Sequence, residues 1–207
     1  KKQAELEFLR SQINPHFLYN TLESIRDIAL EEQVPEIAGM SDALARLFRY
    51  NVKGDANVPF SQELEITQAY LDIQKARFPG KLEVICSVRP ETLSVSIMKF
   101  LLQPLVENAI EHGIDCMREK RGKISIEIYA ENNELYMTVR DNGLELYEKI
   151  GQGKMSHEEF GYGVSNVDKR IRILCGEGYG VEIFAGPGGT TSIIKLRRDF
   201  ITLERKV

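Results

Sequence analysis

The sequence predicts an α+β protein, with a helical first part over residues 1–78 and a mixed α/β second part over residues 79–207. Three observations predict it. Before residue 79 the apolar residues recur at helical spacing. After it they alternate in period two along short segments punctuated by glycine and proline. One polar, glycine-containing stretch, 144–160, has neither period and reads as a lid or surface loop between ordered elements.

The elements follow in order. Leu18, Leu22, Ile25 and Ala29 mark one helix, and Ile37, Met40, Leu44 and Leu47 a second. "KGDANVPFS" (53–61) is rich in turn formers and reads as a loop. A third helix carries Ile66, Tyr70, Ile73 and Arg77 on one face, with Leu64, Leu71 and Phe78 beside it, and "PGK" (79–81) closes it. "KLEVICSV" (81–88) reads as a strand and "SIMKFLLQPLVENAIEH" (96–112) as a helix despite Pro104. Ile124, Ile126 and Ile128 alternate along one strand; Leu135, Met137 and Val139 alternate along the next. "GVSNVDKRIRILCG" (163–176) is a helix with a glycine stop, and "VEIFAG" and "TTSIIKLRR" are two strands joined at "PGG".

Composition narrows the function classes. With 43% hydrophobic and 28% charged residues the chain buries a core and is not disordered. A net charge of −4 gives no electrostatic reason to expect nucleic acid. Cys86, Cys116 and Cys175 are far apart, without metal-ligand or CxxC spacing, and read as reduced thiols of a cytosolic protein. No apolar run reaches the roughly 18 residues of a membrane span. The chain opens on "KKQAELEFL", already helical in pattern, and reads as a piece of a longer protein.

"QINPHFLYNTL" (12–22) raises the first functional question. On a helical wheel the apolar stripe lies about 180–240° from His16. His16 therefore faces away from the core side, with Asn20 at i+4 on its own face. Pro15 beside it implies a kink or local unwinding. A plain surface histidine is the alternative. A metal site is not expected, because His112 and His157 offer no spacing to join it.

Four pieces of the second part raise the other question. "PLVENAIEHG" (104–113) puts the polar Glu107 and Asn108 into an apolar helix, with His112 at i+4 from Asn108. An Asn carbonyl oxygen suits Mg²⁺. "VRDNG" (139–143) brings Asp141 to a strand end, where a carboxylate accepts a hydrogen bond from an amino group such as that of adenine. "GYGVSNVDKRI" (161–171) places Gly161 and Gly163 before a helix N-terminus, a place for phosphate. "GGTTS" (188–192) leads into the last strand. Singly, each has a plain alternative: a polar helix face, an Asn-Gly turn, a lone G-x-G, a hairpin. Their order and separation carry the argument.

In that order the pieces resemble the nucleotide-binding domain shared by histidine kinases, gyrase B, MutL and the heat-shock chaperone ATPases. "QINPHFLYNTL" and "ELEITQAYLDIQKARF" (63–78) are similar to the phosphoacceptor region of LytS/YesM-type sensor histidine kinases. The resemblance implies a helical dimerisation and phosphoacceptor hairpin (1–78) followed by a GHKL (Bergerat) α/β sandwich that binds ATP (79–207). It implies His16 as phosphoacceptor and Asn20 as the residue that orients it. It implies Glu107 beside the reacting phosphates, Asn108 on Mg²⁺, and His112 and Gly113 near the phosphate and lid side. Asp141 would hold the adenine amino group, with Gly143 in the same turn. Gly161 and Gly163 would hinge the lid and meet phosphate, and Asn166, Gly189 and Thr190 would complete the pocket. The cofactors implied are ATP and Mg²⁺. The partners implied are a second copy in a dimeric four-helix bundle, a response regulator whose aspartate receives the phosphoryl group, and no nucleic acid. The location implied is the cytoplasmic side of an inner or plasma membrane, with the membrane sensor region elsewhere in the parent protein.

Three positions depart from the pattern. Glu145 stands at the second glycine of the usual D-x-G-x-G, Glu111 where a basic residue is frequent, and Phe17 where an acidic residue often follows the phosphoacceptor. These departures motivate a second reading, an ATP-binding interaction module without phosphoryl transfer. A third is an ATPase of the gyrase B or chaperone type, which needs no histidine on an upstream helix.

Overall fold

The computed structural model describes residues 15–52, 55–114, 121–159 and 161–198. The opening stretch expected to be helical, Cys116 and the last residue of the expected lid, Phe160, lie outside them. The chain divides into two compact units, Lys1–Gly54 with Ala69–Ala76, and Asp55–Gln68 with Arg77–Val207.

In the first unit, α1 (Pro15–Glu31) and α2 (Pro35–Val52) pack on each other across a short turn in which Gln33 takes φ 59°. Pro35 opens α2, where a missing N–H costs nothing. Ser41 Oγ donates to the carbonyl of Leu22 at 2.6 Å, and the Tyr19 ring meets Phe48 edge-on at 5.5 Å. Leu22, Ala29 and Leu47 are buried as the periodicity requires. Ile37, Met40 and Leu44 are not: they stay 48%, 39% and 48% exposed. The buried face of α2 is instead built from small residues, Ala38, Ser41, Ala43 and Ala45, with Leu47 and Tyr50. Small side chains let two helices approach closely, and the larger apolar ones are turned outward with Ile25 and Ile28 of α1. The described part of α1 begins at Pro15, so any kink upstream of it is outside the described residues.

The region expected as loop, 53–61, holds a short strand β1 (Asn57–Pro59), paired antiparallel with β3 (Ser96–Met98). Helix α3 (Phe60–Arg77) follows β1 directly. The helix expected over 96–112 is likewise divided: after β3 the chain bends through Phe100, at φ 59°, before α4 (Gln103–Asn108) begins. Pro104 thus sits in the first turn of α4, where it is tolerated. A π-helical turn, Ala109–Ile114, continues α4.

The second unit contains a six-stranded sheet built from β2 (Leu82–Val88), β4 (Gly122–Glu131), β5 (Glu134–Asp141), β6 (Gly153–Lys154), β7 (Gly180–Gly186) and β8 (Gly189–Arg197). Their order across the sheet is β2-β4-β5-β8-β7-β6. Only β2 with β4 is parallel; the other neighbours run antiparallel. The period-two residues form one buried face: Ile124, Ile126 and Ile128, then Leu135, Met137 and Val139, then Val181 and Ile183, then Ile194 and Leu196. Leu105, Val106 and Ile110 of the α4 segment are buried too, as are Val164, Val167 and Ile171 of α6 (Tyr162–Cys175). Each such side chain contributes about 1.5–3 kcal/mol by leaving water. The architecture is the α+β class expected, helices first and a mixed sheet with helices second. Neither Cys86 nor Cys175 forms a disulfide among the described residues. Among the described residues no helix is long and apolar enough to cross a membrane.

Candidate ATP-binding site

Asp141 ends β5, opposite Thr190 of β8 in the register and opposite Ile124 of β4. The chain does not turn back there as an Asn-Gly hairpin does. It runs on into α5 (Glu145–Ile150). Asn142 fastens this exit to the start of β4: its Oδ1 accepts the amide of Lys123 at 2.7 Å, and its Nδ2 donates to the carbonyl of Arg121 at 3.0 Å. Asn142 is therefore occupied structurally, and Asp141 is the carboxylate left at the sheet end. Its Oδ1 accepts the amide of Gly143 at 2.9 Å. Burial pushes the Asp141 carboxyl up to about 7, against the smaller opposing pull of the amides of Gly143 and Thr190 and of His112.

Three glycines are packed against that exit. A β-carbon on Gly113 would stand 2.5 Å from Asp141 Oδ1. One on Gly143 would collide with the backbone of Gly113, and one on Gly189, at φ 120°, with the carbonyl of Asp141. The backbones of the α4 segment, the β5 exit and the β7–β8 hairpin thus meet with no room for side chains. "GGTTS" is both the hairpin of its plain reading and one wall of the site.

The result is a cavity of about 250 Å³. Asn108, His112, Gly113, Asp141, Gly161 and Thr190 line it, so the four sequence pieces converge. Glu107, Gly143, Gly163, Asn166 and Gly189 are not in the lining. Gly143 and Gly189 support it from behind, Gly163 approaches Pro104, and Asn166 lies half-buried on α6. His16 and Asn20 are in the other unit, exposed on one face of α1, with Asn20 Nδ2 3.3 Å from His16 Nδ1. An amide N–H there suits an imidazole whose Nδ1 is unprotonated, and a flipped amide the opposite tautomer.

The expected lid contributes lining residues that sequence reasoning passed over: Leu146, Lys149, Met155 and Glu159, with Ile183 of β7. The segment is more ordered than its lack of period implied. Leu146 and Lys149 belong to α5. Lys154 in β6 pairs with β7 and its ammonium meets Glu182, and the amide of Met155 donates to the carbonyl of Ile183 at 2.8 Å. The amide and hydroxyl of Ser156 donate to Glu159 Oε2 at 2.9 and 2.6 Å, an S-x-x-E box visible in the sequence. Glu145, the departure from D-x-G-x-G, is the first residue of α5 and also lines the cavity, its Oε2 3.6 Å from His112 Nδ1.

A second set of residues holds the end of this segment. His157 Nδ1 lies 3.2 Å from Asp168 Oδ2, and the same buried carboxylate accepts Arg172 Nε at 2.8 Å and the amide of Val181 at 2.8 Å.

Residues 94–199 match the model of the histidine kinase-, DNA gyrase B- and HSP90-like ATPases, and residues 4–82 match that of the histidine kinases. The chain belongs to the histidine kinase family. It is 33% identical over 192 residues to the sensor histidine kinase BtsS of Escherichia coli, covering 92% of this chain and 33% of that protein. It is 34% identical over 195 residues to the sensor histidine kinase YesM of Bacillus subtilis, covering 93% and 33%. The chain spans about a third of the length of these curated relatives. Among solved structures, the histidine kinase domain of the blue-light activated kinase of Erythrobacter litoralis superposes with a TM-score of 0.52, at 14% identity, over 91% of this chain and 97% of that one. The Acinetobacter baumannii histidine kinase AdeS does so with 0.51, at 15% identity, over 91% and 98%. These likenesses establish the fold. The sheet-bearing unit falls within the match to the histidine kinase-, DNA gyrase B- and HSP90-like ATPases, a match that implies ATP binding.

Proposed function

We propose that this chain is the catalytic core of a two-component sensor kinase, which transfers the γ-phosphoryl group of ATP to His16 and from there to an aspartate of a response regulator. The observation that carries the ATP half is the buried Asp141 carboxylate in a cavity walled by glycine backbone. It accepts the adenine amino group, while Gly161 and the start of α6 face the phosphates. Asn108 lines the same cavity, and its amide oxygen would hold a Mg²⁺ that arrives with the nucleotide and would neutralise phosphate charge. Among the described residues no group of His, Cys, Asp and Glu stands ready to hold a metal ion by itself.

The observation that carries the histidine half is the exposed His16–Asn20 pair. In the transfer the imidazole lone pair attacks the γ-phosphorus, an N–P bond forms, and the bond to the β-phosphate oxygen breaks with ADP leaving. Asn20 keeps the ring in one orientation. The outward apolar residues Ile25, Ile28, Ile37, Met40 and Leu44 are the surface on which a second copy packs as a four-helix bundle. The parent protein carries a membrane sensor region, and this chain acts at the cytoplasmic side. Acid-labile, alkali-stable label from γ-labelled ATP on the wild type, absent from His16→Ala, is the expected test result. Sedimentation of the wild type as a dimer, and of Ile37→Glu/Leu44→Glu as a monomer, tests the bundle.

A further inference from the structure

Gln103 opens the helix that carries Glu107 and Asn108, and its side chain is engaged inside the protein. Its Nε2 donates to Glu107 Oε1 at 2.7 Å, an i, i+4 pair on one helical face. Its Oε1 is buried and has no hydrogen-bond partner among the described residues. A buried amide oxygen without a donor opposes folding. A leucine or methionine would fill the same space without that cost. The position therefore makes sense through the N–H that it offers, and the acceptor of that N–H is Glu107.

The backbone beneath this pair is held with equal care. No side chain of α4 itself caps its N-terminus. Glu63, fully buried on α3, supplies the cap from some forty positions upstream. Its carboxylate accepts the amides of Phe100 at 3.0 Å, Leu101 at 2.9 Å, Leu102 at 3.0 Å and Gln103 at 3.4 Å. One carboxylate thus fixes the main chain of Gln103, and the side chain of Gln103 in turn fixes a second carboxylate next to the Asn108 that lines the cavity.

We infer that Gln103 is a positioning residue of the phosphoryl-transfer site, which ties one oxygen of Glu107, the chain neighbour of the cavity-lining Asn108 and not itself part of the lining, and keeps the other, Oε2, in one place for the reaction. The inference rests on the reading of this site as one of ATP-dependent transfer. A carboxylate held by one oxygen keeps a single rotamer, and a group held within a fraction of an ångström of its working position is worth more than one that must find it.

The test compares the wild type with Gln103→Leu, Glu107→Gln and the double variant, reading thermal midpoint, affinity for a fluorescent ATP analogue with Mg²⁺, and the rate of label transfer from γ-labelled ATP. Expected for Gln103→Leu are a midpoint no lower than wild type, nucleotide affinity within about twofold, and transfer slowed at least tenfold. Expected for the double variant is no further loss beyond Glu107→Gln, because the amide acts only through that carboxylate. Wild-type transfer in Gln103→Leu, or an additional tenfold loss in the double variant, overturns the inference while leaving the kinase reading intact. A wild type that binds the analogue and is never labelled overturns both.

Discussion

A β-carbon on Gly113 would stand 2.5 Å from Oδ1 of Asp141, the carboxylate oxygen that holds the amide of Gly143. The segment that follows Asn108 therefore packs directly on the Asp141 carboxylate, and its Gly113 backbone lies against Gly143. Neither can be displaced without moving the other.

Gly113→Ala tests that contact. Asp141 Oδ1 is not a loose end that swings aside, because the Gly143 amide anchors it. The variant is expected to lose about 1–3 kcal/mol of stability and on the order of tenfold or more in ATP affinity. Thermal unfolding and nucleotide titration check the two effects separately. Unchanged affinity would mean that Asp141 does not need its present position to bind.

Asp141 also sets a pH dependence. Its carboxyl is raised from 3.8 to about 7 in the folded chain, mainly by burial. The folded protein keeps this proton where the unfolded chain has released it. The stability it contributes is complete below about pH 4, declines as pH rises towards 7, and is gone above. Asp141→Asn should flatten that decline in the thermal midpoint between pH 4 and 7. A hydrogen bond from the adenine amino group favours the ionised form, so wild-type ATP affinity should rise with pH up to about 7 and level off. Titration calorimetry in two buffers of different ionisation enthalpy should detect a proton released on binding at pH 6 and not in Asp141→Asn.

Glu145 brings a negative charge to the cavity wall beside His112. A triphosphate meets it as a like charge. Glu145→Gln keeps the shape and removes the charge, so ATP binding should tighten by roughly two- to tenfold at low salt, with the difference shrinking as ionic strength rises. Weaker binding in Glu145→Gln would show instead that the contact with His112 is what the nucleotide site uses.

Asp168 is the stability counterpart. It is 5% exposed and holds Arg172, His157 and the amide of Val181 together. Asp168→Ala strands the buried amide of Val181 and leaves Arg172 only its exposed carboxylate partner Glu177, with an expected loss of about 2–4 kcal/mol. Hydrogen exchange should report faster opening at Val181 and over 156–159 than over β4 and β5.

The sheet was legible because its rule is local. Ile124, Ile126 and Ile128 alternate, and alternation alone names the buried face. Asp141, Gly113 and Thr190 were legible as pieces of an ordered pattern, and the structure brings them to one cavity. What escaped was set by contacts distant in sequence. Nothing near Glu63 announces that it caps amides at Phe100–Gln103, and nothing in the apolar run 96–112 shows that Phe100 must leave the helix at positive φ. Met155 escaped because β6 exists only through its pairing with β7. The stripe Ile37–Met40–Leu44 was read correctly as helical, yet the period does not say whether the surface that buries it belongs to the same chain. Here the same chain uses the alanine face instead.

The most direct measurement of the central claim is phosphoryl incorporation. The chain is incubated with γ-labelled ATP and Mg²⁺ beside His16→Ala and Asn108→Ala, and the label is tested for acid lability and alkali stability. Label on the wild type that has this signature and vanishes in both variants is the predicted result. Label that persists in His16→Ala, or a wild type that binds ATP through Asp141 and acquires none, would contradict the assignment of His16 as the phosphoacceptor.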